Sequence, residues 1–264
     1  MDIIDSHCHL FLEELAYDSQ AVLSRAYASG VSEIINVGLD WETSLTVTSR
    51  AKVRKPNEPI VRAAVGWHPN ETHRMSPSDV KNLANLARDN EVVALGEIGL
   101  DYYRHPESAK TQKKFFLLLL EAAIEIKKPV IIHCRDAWPD LIEILKPLRG
   151  DLAGVLLHCF SGSTKEVEAG LKLKCHFSFA GPLTFPKAKE LRDALLDVPR
   201  NLVMIETDAP FLAPQPKRGK RNEPALIVHQ LKTLAQLWQM DIVEAAKLTS
   251  QNAREYFGLT SLSA

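Results

Sequence analysis

Eight short apolar, β-branched runs recur along the chain, roughly 20 to 40 residues apart, with helix-patterned segments between them. That alternation predicts an α/β protein built as a single closed (β/α)8 TIM barrel, carrying one additional C-terminal helix. Length agrees: the chain has 264 residues, and one such barrel needs about 250. A doubly wound open sheet is the alternative. It loses weight because no Gly-x-Gly-x-x-Gly follows the first run and no phosphate-binding P-loop occurs anywhere.

The candidate strands lie at 3–5, 33–37, 60–65, 92–95, 130–132, 154–157, 175–179 and 202–205. Valine, isoleucine and phenylalanine dominate them, and such side chains suit a pleated, buried strand. Helices are predicted at 21–29, 44–53, 77–90, 111–127, 139–148, 164–173 and 186–196. Ser76 and Pro77 mark the third of these, as N-cap and first helical residue. Two more helices, 224–239 and 241–257, follow the eighth strand. No linker or low-complexity tract interrupts 1–264, so a single TIM-barrel domain is expected over that span.

Lys and Arg number 32 against 33 Asp and Glu, a net charge of −1, with 45% hydrophobic and 25% charged residues. This balance excludes a histone-like basic binder and an acidic disordered chain. It leaves room for a local basic patch on a nucleic-acid enzyme. The run 115–123 is broken by Glu121 and is far short of the ~20 residues a membrane span needs. Asp2 and Asp5 stand where a signal peptide would carry basic residues. Cys8, Cys134, Cys159 and Cys175 are too dispersed for a disulfide scaffold or a Cys-x-x-Cys metal site. A cytoplasmic monomer with reduced thiols, no membrane association and no obligate protein partner is expected.

In such barrels the chemistry sits at the C-terminal ends of the strands. Here strand one ends Asp5-Ser6-His7-Cys8-His9, strand three Gly66-Trp67-His68-Pro69 and strand four Gly96-Glu97-Ile98-Gly99-Leu100-Asp101. Strand five ends His133-Cys134-Arg135, strand six His158-Cys159-Phe160-Ser161-Gly162 and strand eight Glu206-Thr207-Asp208-Ala209-Pro210. Strand alternation puts Asp5, His7 and His9 on one face and turns Cys8, Cys134 and Cys159 away from the axis. His7, His9, Glu97, His133, His158 and Asp208 are then metal-ligand candidates. Four imidazoles and two carboxylates exceed the needs of one catalytic ion. They suit two ions about 3.5–4 Å apart, bridged by a carboxylate. Glu97 is the expected bridge, with His7, His9 and Asp208 on one ion and His133 and His158 on the other. The set leaves magnesium, manganese and zinc open.

These strand ends, together with Arg218-Gly219-Lys220-Arg221-Asn222-Glu223-Pro224, resemble the TatD family of metal-dependent hydrolases over residues 2 to 257. The resemblance implies an amidohydrolase-type barrel, two divalent ions and deoxyribonuclease activity, with DNA as substrate. It carries the same six ligand positions and matches His68 to a histidine kept near the metals. Many relatives bridge their metals through a carbamylated lysine late in the fourth strand. Residues 91–100 contain no lysine, and Glu97 takes that place. This counts against a phosphotriesterase- or dihydroorotase-like chemistry of that subtype.

Asp208 is the expected base for an attacking water, with Glu97 and His68 beside it. Lys217, Arg218, Lys220 and Arg221 follow strand eight, where barrels often bind phosphate; a solvated loop is the alternative. Tyr103 and Arg104 follow strand four and suit base stacking and backbone contact. Arg135 suits either a phosphate or a ligand carboxylate. Asp5 and Glu206 suit hydrogen bonds that orient the histidines. A second function keeps the metals and changes the bond: an ester or amide hydrolase, such as a deacylase of misacylated transfer RNA. A barrel that only binds a partner would leave the ligand set without purpose.

Overall fold

The computed structural model describes residues 1–259; positions 260–264 of the expected domain lie outside the described residues. Eight strands form one sheet in the order β1 to β8, each parallel to its neighbour. They are β1 (Ile3–Cys8), β2 (Val31–Val37), β3 (Ile60–Val65), β4 (Val92–Asp101), β5 (Val130–Arg135), β6 (Val155–Leu157), β7 (His176–Phe179) and β8 (Val203–Ile205). A parallel bridge between Cys8 and Ala209 returns the sheet to its start. The expected barrel is therefore the observed one.

Helices cross between the strands: α1 (Glu13–Ala16), α2 (Ser19–Ala28), α3 (Trp41–Ala51), α4 (Pro77–Leu86), α5 (Ala109–Ile126), α6 (Trp138–Leu148), α7 (Thr164–Lys172) and α8 (Lys189–Asp197). α9 (Ile227–Trp238) and α10 (Ile242–Phe257) close the chain. Their starts follow ordinary capping chemistry. Asp40 Oδ1 accepts from Thr43 N at 2.9 Å ahead of α3, and Ser76 N donates to Asp79 Oδ2 at 2.8 Å ahead of α4.

Most buried side chains, Phe116, Phe177 and Leu83 among them, form one large cluster that includes the outer strand faces and the helices. A second, smaller cluster fills the barrel itself: Ile4, Ile35, Ala64, Ala94, Ile131, Leu156 and Met204, with Ala253 and Phe257 of α10 against it. This apolar plug occupies the N-terminal half of the strands and leaves the C-terminal half for polar groups.

Strict alternation does not hold between the two halves. Ile4 belongs to the inner cluster and His7 to the site, three residues apart rather than two. Ala94 and Glu97 show the same spacing. The pairing register shifts between Asp5 and Cys8 in β1 and between Leu95 and Ile98 in β4, which absorbs the extra residue. The expected shared face thus holds for His7 and His9 but does not bring Asp5 to their rings.

Candidate metal centre

The site grows from six strand ends. His7 and His9 close β1 with their Nε2 atoms 3.2 Å apart. His9 Nδ1 lies 2.8 Å from the Val37 carbonyl, so Nδ1–H donates there and the Nε2 lone pair faces inward. Asp208 Oδ1 lies 3.4 Å from His9 Nε2 and 3.9 Å from His7 Nε2. Its backbone sits at φ +55°, a region that aspartate enters more easily than most residues. Asp208 N donates to the His7 carbonyl at 2.9 Å, tying the ends of β8 and β1 together.

Glu97 lies in the middle, buried, and its two oxygens face different histidines. Oε2 is 3.3 Å from His7 Nε2 and 3.8 Å from His9 Nε2. Oε1 is 2.8 Å from His133 Nδ1, 2.8 Å from His158 Nε2 and 3.5 Å from His68 Nε2. Burial alone would lift its pKa, but His158, His68 and His133 outweigh that and hold it well below the usual carboxylate range. Asp208 behaves alike: burial opposes ionisation, and His9 and His7 prevail. His158 is pushed well up, against burial, by Glu97 and Glu206. His7 is pushed down by burial and by neighbouring His158, whose ring stacks on it at 4.0 Å.

Further groups hold these side chains in place. Glu206 Oε1 lies 3.3 Å from His158 Nδ1, as the sequence suggested. Asp5 does something else: it accepts from Thr207 N at 2.9 Å, Thr207 Oγ1 at 2.6 Å and the His7 amide at 3.3 Å. Burial, working against those bonds, pushes its pKa up to about 7. His68 Nδ1 accepts from Asn70 N at 3.1 Å, and burial pushes its pKa down to about 3. It is therefore neutral, with its hydrogen on Nε2 toward Glu97.

Asp101 is the residue the sequence reading left without a role. Its Oδ2 lies 3.1 Å from His133 Nε2, while Oδ1 accepts from the amides of Tyr103 and Arg104 at 3.0 and 3.1 Å. One carboxylate thus connects a ligand candidate to the loop after β4. Its spacing from Glu97 along β4, four residues on an inward face, was the available signal. Between them Gly99 has φ +144°, and a Cβ there would lie 2.0 Å from the His133 carbonyl oxygen, so only glycine fits.

The donor set fits divalent cations. Among the described residues three groups each gather their donor atoms within 4.8 Å: His7, His9 and Asp208; His7, Glu97 and His158; His68, Glu97 and His133. Two imidazole nitrogens 3.2 Å apart, with an ionised carboxylate on each side, are arranged as ligands are around a cation. The other expected residues divide. Arg135 stacks on the exposed Tyr103 ring at 3.7 Å. Arg104, Lys217 and Lys220 are exposed, and Arg218 lies over Phe185 at 4.5 Å. Arg221 is engaged elsewhere, by Asp18 at 2.7 Å and the Glu14 carbonyl at 2.6 Å. Cys8, Cys134, Cys159 and Cys175 are free thiols.

Known proteins share this architecture from end to end. A family profile described as TatD related DNase matches residues 4–258. YabD of Bacillus subtilis, described as an uncharacterized metal-dependent hydrolase, is 36% identical over 255 residues, covering 97% of this chain and 98% of its own. The protein of Escherichia fergusonii described as the 3'-5' ssDNA/RNA exonuclease TatD is 32% identical over 263 residues, covering 98% and 100%. The crystal structure of YjjV, a TatD homolog from Escherichia coli, superposes with a TM-score of 0.91 at 29% identity, over 98% of both chains. With matches of this extent and the histidine–carboxylate cluster at the mouth of its barrel, the chain belongs to the TatD family of metal-dependent hydrolases.

Proposed function

We propose that the protein is a divalent-metal-dependent deoxyribonuclease that hydrolyses phosphodiester bonds of DNA in single strands or at strand ends. The observation that carries this reading is Glu97, whose two oxygens each face a separate set of histidines. That arrangement suits a pair of ions sharing one carboxylate, a recurring device for displacement at phosphorus. The exonuclease description of the Escherichia fergusonii relative supports it, as do the exposed cations after β8.

His7, His9 and Asp208 would hold one ion and His133 and His158 the other, with Glu97 shared. When bound, two such ions (magnesium, manganese or zinc) make water acidic and offset charge on the phosphate oxygens. Asp208 is ionised and lies at the open edge of the cluster, so its carboxylate orients the attacking water and takes its proton. The water oxygen bonds to phosphorus as the ester oxygen on the opposite side departs. His68 keeps a neutral N–H directed at Glu97 Oε1 and so fixes that carboxylate without adding charge. Arg135 and Arg218 lie over aromatic rings, and such guanidinium groups can still donate to phosphate oxygens.

The test is hydrolysis of end-labelled single-stranded DNA by metal-stripped protein, with magnesium, manganese and zinc restored separately. Cleavage that needs a metal and falls on the order of a thousandfold in Asp208→Asn is expected. Near-normal turnover in that variant would remove Asp208 as the base. Failure with every ion, alongside deacylation of misacylated transfer RNA, would replace the phosphodiester by a carboxylic ester.

A further inference from the structure

Singly exposed aromatic rings are common on proteins and by themselves mean little. Phe211 differs in its position and in its rigidity. It is 47% exposed, and its ring centroid lies 6.1 Å from that of His9. Its amide donates to the Asp208 carbonyl at 2.9 Å, and its own carbonyl accepts from Asn222 Nδ2 at 2.6 Å. Asn222 is wholly buried and also donates to the Thr207 carbonyl at 2.8 Å. The backbone of Phe211 is therefore tied at both ends to the turn that carries Asp208.

Across the mouth Tyr103 is also exposed, but Arg135 already lies on its ring. No cation lies over Phe211 among the described residues. The same loop continues into Lys217, Arg218 and Lys220, which form no ion pair among the described residues and suit a polyanion. A flat apolar face beside the cluster, followed by unpaired positive charge, matches one nucleotide: base on the ring, phosphates along the lysines.

We propose that Phe211 is a stacking platform for the nucleobase adjoining the scissile phosphate. This deepens the nuclease reading above and rests on it. It also states a preference: a base inside a duplex has both faces covered by its neighbours, so Phe211 takes a base of a single strand and is closed to the interior of a duplex. The enzyme then selects single-stranded ends through a positioning residue that takes no part in the bond change.

The experiment uses the metal-loaded protein, a labelled oligothymidylate, and the same oligomer with abasic units at its terminal positions. Wild-type protein and the variants Phe211→Leu and Phe211→Tyr are compared by kcat/KM and, separately, by fluorescence anisotropy. Wild type and Phe211→Tyr should prefer the base-bearing oligomer about tenfold, and Phe211→Leu should treat the two alike. The loss should fall mainly in KM. Metal content and melting temperature unchanged in Phe211→Leu exclude damage to the centre. Equal affinity of wild type for the two oligomers overturns the platform, as does an undiminished preference in Phe211→Leu. Absence of cleavage with the binding preference intact overturns the nuclease reading instead and leaves the platform standing.

Discussion

At the N-terminal mouth of the barrel, Ile4, Ile131, Leu156 and Met204 close against Phe257 and Ala253 of α10. Charges of opposite sign gather there: Glu33 lies 3.5 Å from Arg62 and 3.7 Å from Arg254, and Arg254 binds Asp2 at 2.8 Å. At the C-terminal mouth the same strands carry His7, Glu97, His133, His158 and Asp208, all aimed at one small volume. Two to four positions along the chain separate the two regimes. Apolar packing at one end supplies the stability that lets the other end crowd ionisable groups together, an arrangement that on its own opposes folding.

Three substitutions separate the two ends. Glu97→Gln strikes the C-terminal mouth only. Turnover should fall on the order of a thousandfold, and bound metal measured by elemental analysis should fall with it, while the melting temperature of the metal-free protein stays near that of wild type. A large drop in metal-free stability would mean that the two ends are not separable. Phe257→Ala does the reverse. It empties the plug and should lower unfolding free energy by about 3–5 kcal/mol in urea titrations, with metal content of the folded protein preserved.

The smallest effect is in pH. His176 begins β7 at the N-terminal end, its Nδ1 buried without a partner among the described residues and its ring 4.8 Å from that of Tyr256. Burial, helped by Arg149 and opposed by Glu255, pushes its pKa down to about 4 from an ordinary 6.5. Between those values the unfolded chain binds a proton that the folded one refuses, so stability falls as pH falls from 6.5 toward 4. His176→Gln should flatten that part of the acid denaturation curve. An unaltered slope would place the acid sensitivity in other groups.

The order of elements was legible in the sequence because burial on both faces writes each strand as an apolar run. The runs end early for the same reason. β1, β4 and β5 continue to Cys8, Asp101 and Arg135, where histidines and carboxylates replace isoleucine and valine while the backbone still pairs. The ligand candidates could be listed because strand ends are where a barrel displays its chemistry. Local patterning could not show what distant residues decide. Asp5 is turned to Thr207, 202 positions away. Arg221 is turned to Asp18, 203 positions away, so one residue of a basic run is held in an ion-pair network while its neighbours stay exposed. The four-residue α1 was missed because one turn has no periodicity to read.

Asn222 has a consequence for how such a protein can change. Its amide donates to the Pro210 carbonyl at 3.1 Å, while its side chain reaches back to Thr207 and Phe211, so the chain leaves the barrel and returns to it at one pinned point. The stretch between, with Lys217, Arg218 and Lys220, is a loop closed at that point and tied once more to the barrel where Gln215 N donates to Thr184 Oγ1 at 2.9 Å. Lys217 and Lys220 are exposed between those ties, so their charge can be changed without moving the turn that presents Asp208.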